Sequence, residues 1–317
     1  MGESLTTSYN LTAAEIITET LELLTVIGPG MPANGEDYVS CLRSLNLMIK
    51  SWQAPPYGFH LWKVGKGYLF LNPGQKFYEI GGTSTDHIAE DAVVTDLAVA
   101  LTTSATALTV DSTTGMTVGD VIGIELDAGT IHWTTIATIP TSTTLTITLG
   151  VVSAAAIDNK VYTYTSLAGR PLDITEVRLT KPGDTDQRMF PLSKNAYYTI
   201  ANKTSESSPI QYYIETLKNS SRIYLYGTGN GVDEYIQFNY QKVVEDITLT
   251  TDFADFPPEV TMSIIWNLAI VVSPKYEKED KAQGGLAGKA QELFQVMVDN
   301  DQENVPFKIV PNFWWYE

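Results

Sequence analysis

The chain has 317 residues, of which 44% are hydrophobic, 18% charged and 10% aromatic. This composition supports a large packed core and excludes an intrinsically disordered protein. With 37 acidic against 20 basic residues the net charge is −17, which argues against binding to nucleic-acid phosphates or to an anionic membrane surface.

The cysteine count, the N-terminal residues and the most apolar stretch further limit the class of protein. The single cysteine, Cys41, permits no internal disulfide and no metal site built from thiolates. The N-terminal MGESLTTSYNL has no basic segment followed by an apolar run, so we expect no secretory signal. The most apolar stretch, Ile264 to Val272, is too short to cross a bilayer and is predicted to be a buried helix.

Two helices are predicted near the N-terminus. Thr12 and Glu15 have the spacing of a capping box, and apolar residues then recur at helical spacing until Gly28–Pro29–Gly30 ends the helix. A second helix is predicted from about Glu36 to Trp52, where Pro55–Pro56 follows. Its predicted buried stripe consists of Val39, Leu42, Leu45, Ile49 and Trp52. The short connecting loop makes the two helices antiparallel neighbours.

Strand patterns begin at Leu61, and a hairpin is predicted around the NPGQ turn at residues 72–75. From about residue 88 to residue 165 the chain is rich in Thr, Ala and Val, and short alternating runs recur between turn residues. We interpret this segment as an inserted small all-β domain of five or six strands. The alternative is one continuous sheet shared with the neighbouring strands. The predicted runs are 107–110, 121–126, 132–136, 145–149 and 161–164.

A second β-rich region follows Arg170–Pro171. Its candidate strands are Ile174–Leu179, Tyr197–Ile200, Tyr212–Glu215, Arg222–Tyr226 and Tyr235–Tyr240. The sequence GTGNG at residues 227–231 is predicted to be the turn of a hairpin. It lacks the Lys-Ser/Thr of a phosphate-binding loop, and a strand rather than a helix follows it.

Two helices are predicted near the C-terminus. One starts at Pro257–Pro258–Glu259 and ends at Ser273–Pro274. It is apolar nearly all round and should be central. The last helix is weakened by glycines in its first turns. Its predicted apolar face consists of Leu286, Ala290, Leu293, Phe294 and Met297.

The expected fold class is therefore α+β. It has a helical core of about four helices with a β-rich domain, plus an inserted small all-β domain. The predicted divisions are residues 1–87, 88–165 and 166–302, followed by an extended C-terminal segment, residues 303–317.

Patterns typical of enzymes are missing from the sequence. His60, His87 and His132 are scattered, and no HExxH, GxSxG or SxxK occurs. Acidic neighbours such as Asp184 and Asp186 are expected by chance in so acidic a chain, although a glycosidase also needs two carboxylates. We therefore expect a protein that is not an enzyme, with no catalytic residue, no cofactor and no metal.

Several short stretches in both halves of the chain together resemble one family. These stretches are Ser44–Trp52, Gly58–Trp62, Leu71–Gly81, Arg170–Pro171, Pro209 with Tyr212–Tyr213, Ile223–Tyr226, Asp255–Pro258, Trp266–Ala269 and Ser273–Tyr276. Their content and order resemble the head-to-tail adaptors of short-tailed bacteriophages, also called tail accessory factors or packaged-DNA stabilisation proteins. The resemblance covers about residues 8–85 and 166–312.

This resemblance implies a virion structural protein at the head-to-tail junction, made in the host cytoplasm. Members of the family form a ring of twelve copies under the portal, extend the DNA channel and present a docking surface to the next tail component, a nozzle or fibre protein. The segment 88–165 departs from a minimal member. An acidic channel would repel DNA phosphates, so we expect DNA to pass without specific binding and no membrane partner.

The C-terminal segment ends in NFWWYE and has large apolar side chains with few rotatable bonds, as binding hot spots do. Fully extended, fifteen residues reach roughly 50 Å at about 3.3 Å each, enough to leave the parent subunit. We predict that this segment docks on the portal, while packing on its own core is the alternative. The predicted portal-docking residues are Phe307, Ile309, Phe313, Trp314, Trp315 and Tyr316.

Two further hypotheses compete with the adaptor. One is a glycan-binding or cell-wall-degrading tail protein that uses the inserted β-domain as its binding module, although the aromatic residues there are only Trp133, Tyr162 and Tyr164. The other is a host β-protein unrelated to virions. Release of fragments from peptidoglycan would favour the first, and neighbouring genes for a portal and a terminase would exclude the second.

Overall fold

A mixed α/β fold, made mostly of β-sheets with a few helices, agrees with the predicted α+β class. The computed structural model describes residues 9–54, 63–81, 85–181, 186–253 and 255–301. The chain divides into two units, one formed by Met1–Lys63 with Val244–Glu317 and the other by Val64–Val243. We call them the helical unit and the sheet unit. The domain boundaries predicted at residues 88 and 165 stay a prediction.

The helical unit is formed by the two ends of the chain. Short 3-10 turns at Pro258–Val260 and Ser273–Tyr276 flank its most apolar helix. Numbered in chain order with α3 (Lys194–Thr199) of the sheet unit, the helices are α1 (Ala13–Leu23), α2 (Gly35–Trp52), α4 (Thr261–Val272), α5 (Glu279–Lys281) and α6 (Ala287–Asn300).

Helix α1 starts as predicted and ends early. The Thr12 hydroxyl accepts a hydrogen bond from the Glu15 amide at 3.3 Å, and the Glu15 carboxylate accepts one from the Thr12 amide at 2.8 Å. This reciprocal pair is the capping box. The helix stops at Leu23, before the predicted Gly28, because Thr25 adopts a left-handed backbone with φ of 54°.

One hydrophobic cluster fills the helical unit, and side chains of α1, α2, α4 and α6 contribute to it. They include Ile16 and Leu21 of α1, Leu45 of α2, Leu268 of α4 and Met297 of α6. In α4, Met262 and Val271 remain exposed, so this helix is buried on one side rather than all round.

The buried stripe predicted for α2 contains one error. Val39 is 61% exposed. Two residues along a helix rotate a side chain by about 200°, so Val39 lies opposite Cys41. The residues of α2 that are buried are Cys41, Ser44, Leu45, Met48, Ile49 and Trp52.

The glycines predicted to weaken the first turns of the last helix have a stronger effect ahead of α6, where two of them interrupt the helix. Gly284 and Gly285 leave helical backbone geometry, and Gly285 has a φ of 128°. Regular helix therefore begins at Ala287 and continues to Asn300. Of the predicted apolar face, Ala290 and Met297 are buried.

Two sheets pack face to face in the sheet unit. One has the strand order β11-β10-β15-β1-β3 and the other β12-β13-β14-β2. Their inner faces share one hydrophobic cluster, which includes Leu69, Tyr78, Ile223, Ile236 and Phe238. The strands are β1 (Val64–Phe70), β2 (Phe77–Ile80), β3 (Ile88–Ala89), β10 (Ile174–Thr180), β11 (Gln187–Arg188), β12 (Phe190–Pro191), β13 (Gln211–Thr216), β14 (Ser221–Tyr226) and β15 (Tyr235–Gln241).

Both predicted hairpins are wrong, and for the same reason. The turn at NPGQ forms, with a hydrogen bond from the Gln75 amide to the Asn72 carbonyl at 3.1 Å. However, β1 pairs with β15 and β3, whereas β2 pairs with β14. The GTGNG turn likewise leads from β14 in one sheet to β15 in the other. Each turn crosses between the sheets, because the two inner faces must cover each other.

The strand predicted at Tyr197–Ile200 is also wrong, since α3 occupies Lys194–Thr199. Ser193 is its N-cap, and its hydroxyl accepts a hydrogen bond from the Ala196 amide at 3.1 Å. This cap outweighs the strand preference of the two tyrosines.

A third sheet, formed within residues 93–164, closes on itself. Its strand order is β4-β9-β6-β7-β8-β5. Leu97 bridges Val110, and the Ala98 amide donates to the Thr109 carbonyl at 2.9 Å, so the two edge strands meet. The five predicted runs are confirmed as strands, and one more, β4, was missed. The strands are β4 (Val93–Asp96), β5 (Ala107–Thr109), β6 (Val121–Glu125), β7 (Ile131–Thr138), β8 (Thr144–Ile147) and β9 (Lys160–Tyr164).

Aromatic rings join this closed sheet to the five-stranded sheet. Phe70 at the end of β1 is buried, and its ring centroid lies 4.8 Å from that of Tyr162 and 5.3 Å from that of Trp133. The Tyr162 hydroxyl donates to the Val232 carbonyl at 2.7 Å, which satisfies the one polar atom of a buried ring. We call Phe70, Trp133, Tyr162 and Tyr164 the aromatic junction.

Candidate docking surfaces

The predicted portal-docking residues, Phe307 to Tyr316, lie outside the described part of the chain. Their assignment therefore stays a prediction. The structure does place the residues before them, because α6 ends at Asn300 and Asp301 follows it.

An apolar groove lies between the start of α4 and the second half of α6. It encloses about 570 Å³. Val260 and Met297 are buried in it, and Val296, on the outer side of α6, is 50% exposed. We call it the α4–α6 groove. The residues that line it are Pro257, Glu259, Val260, Ser263, Leu293, Val296, Met297, Asn300 and Asp301.

Packing of the two helices creates the groove, and the side chain of Asn267 contributes polar contacts to it. The Asn267 side-chain amide donates to the Ser263 carbonyl at 2.9 Å and to the Ala290 carbonyl at 3.2 Å, which ties α4 to α6. The sequence indicated Leu293 and Met297 as one face of the last helix. It did not indicate Val296, because an exposed apolar residue shows no distinct signal in a single sequence.

Helix α2 presents a second exposed apolar surface. Val39 and Leu47 are both exposed, with exposed Arg43 one turn from each of them. Residues four apart share one face of a helix, so these three side chains form a continuous strip, which we call the α2 outer face. Apolar residues beside an arginine are typical of protein interfaces.

Other side chains of α2 tie distant parts of the chain together. Asn46 exchanges two hydrogen bonds with the backbone of Ile247, at 2.8 and 3.0 Å. The Lys275 ammonium donates to the Ser44 hydroxyl at 2.6 Å, and the Tyr276 hydroxyl donates to Asp37 at 2.8 Å. Ser44 and Asn46 belong to one stretch that carries the family resemblance, and Lys275 and Tyr276 belong to another.

Cys41 is part of the same network and is not a reactive thiol. It is buried, with its sulfur 3.5 Å from the Tyr276 hydroxyl. Burial raises the pKa of the Cys41 thiol, so little nucleophilic thiolate forms at neutral pH.

The aromatic residues of segment 88–165 are packed against other rings. Trp133 stacks on His87 with 4.1 Å between ring centroids and an interplanar angle of 8°. The Tyr164 hydroxyl lies 2.7 Å from His87 Nδ1. Tyr162 and Tyr164 are buried. These rings are therefore committed to the aromatic junction, which weakens the hypothesis that they bind a glycan.

His87 makes the stability of the sheet unit depend on pH. Burial lowers the pKa of its imidazole, and the nearby negative charge of Asp86 partly opposes this. The unfolded chain, with a histidine pKa of about 6.5, then binds more protons than the folded chain. We expect the stabilisation from neutral His87 to be complete above about pH 6.5 and to be lost as the pH falls through the lower folded-state pKa.

Urea unfolding at several pH values between 5 and 7.5 measures this dependence. In His87→Asn the slope of unfolding free energy against pH in this range should become flatter. Asparagine suits the left-handed backbone at position 87, where φ is 51°. Equal slopes in the parent chain and the variant would contradict the assignment to His87, whatever the difference in absolute stability.

The GTGNG turn is confirmed as a turn and not as a phosphate cradle. Gly227 and Gly229 have φ of 68° and 78°. The Thr228 and Gly229 amides donate to the Ser205 and Ser207 carbonyls at 3.1 and 3.0 Å, so they do not point to a ligand. A Cβ on Gly227 would lie 2.5 Å from the Ser208 carbonyl oxygen, which explains the glycine.

Among the residues that the structure describes, no group of three or more His, Cys, Asp or Glu side chains lies close enough to hold a metal ion. His60 falls outside those residues, and His132 lies near the Leu149 carbonyl at 3.2 Å. Within the described ranges, no helix combines the length and the hydrophobicity that crossing a bilayer requires.

Comparison with known proteins leaves the family open. No protein-family model matches the chain, and no curated protein matches it. A solved structure of VP17, a capsid protein of bacteriophage P23-77, aligns at 11% identity over 56% of this chain and 82% of its own, with a TM-score of 0.12. The VP16–VP17 complex of the two major capsid proteins of that phage aligns at 12% identity over 55% and 81%, also with a TM-score of 0.12. Scores this low do not establish a shared fold.

Proposed function

We propose that the chain is a structural protein of a short-tailed phage virion, which forms a ring that joins the portal to the tail and extends the DNA channel. One observation carries the proposal. Two stretches of the family resemblance that are far apart in sequence contact each other in the helical unit, through the Lys275 ammonium and the Ser44 hydroxyl. Tyr276 adds a hydrogen bond to Asp37 of the same helix, ahead of the matching stretch. Residues 44–52 and 273–276 thus lie side by side in the helical unit, which supports considering the two matches together.

The helical unit suits a ring subunit. Its core of about four helices would act as a rigid wedge between two neighbours. A closed ring needs two different faces on each subunit, one complementary to the other. The α2 outer face and the α4–α6 groove are two such faces on separate helices, one with exposed Arg43 and the other with exposed Glu259.

The net charge suits the channel. At −17 per chain, a ring of about twelve copies would repel DNA phosphates and let the genome pass without adhering. The proposed partners are the portal and a tail nozzle or fibre protein, the site is the head-to-tail junction of the virion, and the role needs no catalytic step. A channel lined mainly by lysine and arginine would contradict this reading.

The portal test uses the whole chain and a chain without residues 303–317. Mass photometry of the protein alone and with purified portal rings should show a ring-sized complex when portal is present. Deleting the segment should abolish co-sedimentation with portal rings, because it removes Phe307 to Tyr316. A chain in which a Gly/Ser sequence of equal length replaces the segment controls for length.

Each outcome of this test is decisive for one part of the proposal. Undiminished binding by the shortened chain would overturn portal docking by the C-terminal segment. Failure of the full chain to bind portal rings would overturn the adaptor role itself. A separate incubation with peptidoglycan tests the alternative, since release of soluble fragments would favour a cell-wall-degrading protein.

A further inference from the structure

The α4–α6 groove opens at the point where the chain leaves α6. Asn300 is the last residue of that helix, and both Asn300 and Asp301 line the groove. The described part of the chain therefore ends at the rim of the groove. Another hollow on these helices, of about 360 Å³, lies beside Trp52, and the residues that line it do not include the end of α6.

The sequence beyond Asp301 contains large apolar side chains, and the groove is also mainly apolar. Those large side chains are Phe307, Ile309, Phe313, Trp314, Trp315 and Tyr316. The groove is lined mainly by apolar side chains, and Glu259 contributes an exposed carboxylate near which the segment's one cation, Lys308, could be placed. Its volume of about 570 Å³ is within the range of sites that enclose small organic molecules, so it suits a few aromatic rings.

We propose that the α4–α6 groove binds the aromatic C-terminal segment of its own chain. Five residues lie between Asp301 and Phe307, so the six Cα-to-Cα steps from one to the other reach roughly 20 Å when extended. For a connection this short, the effective concentration of the segment at the groove is in the millimolar range. The same segment of a second copy, present at micromolar concentration, is about a thousandfold less concentrated at the groove. In the free subunit the groove is therefore occupied by the segment of its own chain.

This inference does not depend on the adaptor role, because it concerns contacts within one polypeptide. If the adaptor role also holds, the groove is where the segment rests before it binds the portal, and portal binding must displace it. Failure of portal binding leaves the groove experiment unchanged, so the two proposals can fail separately.

A peptide experiment tests the groove. The chain truncated after Asp301 is first checked by circular dichroism for the helix signal and the unfolding transition of the full chain. It is then titrated with a synthetic peptide of residues 302–317, and binding is followed by calorimetry. Val296→Asp should weaken binding by about tenfold or more, because it places a charge against the apolar peptide. Val271→Asp is the matched control, since Val271 is 45% exposed on α4, outside the groove, and Val296 is 50% exposed. Its affinity should stay within about twofold of the parent.

Cysteine cross-linking in the full chain separates the same-chain contact from an exchange between copies. Val296→Cys combined with Phe313→Cys should form a disulfide within one chain under mild oxidation. Native Cys41 is buried and should not interfere. The proposal is overturned if the peptide does not bind, if Val296→Asp binds it as well as Val271→Asp does, or if the disulfide forms only between chains.

Discussion

Replacing Phe70 by alanine is expected to lower the free energy of unfolding of the sheet unit by about 3–5 kcal/mol. The ring is 1% exposed and lies among Trp133, Tyr162 and Tyr164 in the aromatic junction. Truncation removes the transfer free energy of the ring and leaves a cavity that neighbouring rings cannot fill without moving. Because folded domains are stable by only about 5–15 kcal/mol, this is a large fraction of the total.

Urea unfolding monitored by tryptophan fluorescence would measure the loss. Phe190→Ala is the matched control, because Phe190 of β12 is 58% exposed and its truncation should cost under about 0.5 kcal/mol. If the two variants unfold at the same urea concentration, the aromatic junction is not what stabilises the sheet unit.

The second large effect is expected in the helical unit, at Leu268. This residue of α4 is fully buried in the cluster that also receives side chains of α1, α2 and α6. Leu268→Ala should cost about 2–5 kcal/mol, with a value near the upper end if the surrounding helices cannot close the cavity. Since the proposed ring contacts lie on α2 and on the α4–α6 pair, the same change should also lower the yield of ring-sized complexes with portal.

Leu249→Ala is the matched control for Leu268→Ala. It makes the same substitution in the same unit at a leucine that is 61% exposed, so a difference between the two variants reflects burial. It should change the free energy of unfolding by less than about 0.5 kcal/mol. Thermal unfolding followed by circular dichroism at 222 nm, which reports helix, is the suitable measurement. An unfolding transition for Leu268→Ala that coincides with that of Leu249→Ala would contradict the assignment of α4 to the core.

In the helical unit, one set of side chains holds the fold together and another set remains exposed. The polar residues of α2 hold the two ends of the chain in one helical unit, through Asn46 with Ile247 and Lys275 with Ser44. Val39, Leu47 and Val296 are among the apolar residues that remain exposed outside this core, where a partner can reach them. The proposed ring and the proposed groove contact use this second set and leave the first intact.

Local features of this protein could be predicted from its sequence alone, because they depend on the spacing and backbone preferences of residues that are neighbours in the chain. They include the capping box of Thr12 and Glu15, the extent of α2, the weak helix around Gly284–Gly285 and the strands of residues 107–164.

Only the tertiary structure decided how these pieces meet. The turns at Asn72–Gln75 and Gly227–Gly231 were predicted correctly, yet both cross between sheets, because strand pairing is set by which faces must be buried together. The exposure of Val39 and the groove beside Val296 likewise depend on how the helices pack, and packing brings together residues more than two hundred positions apart, which no local pattern records.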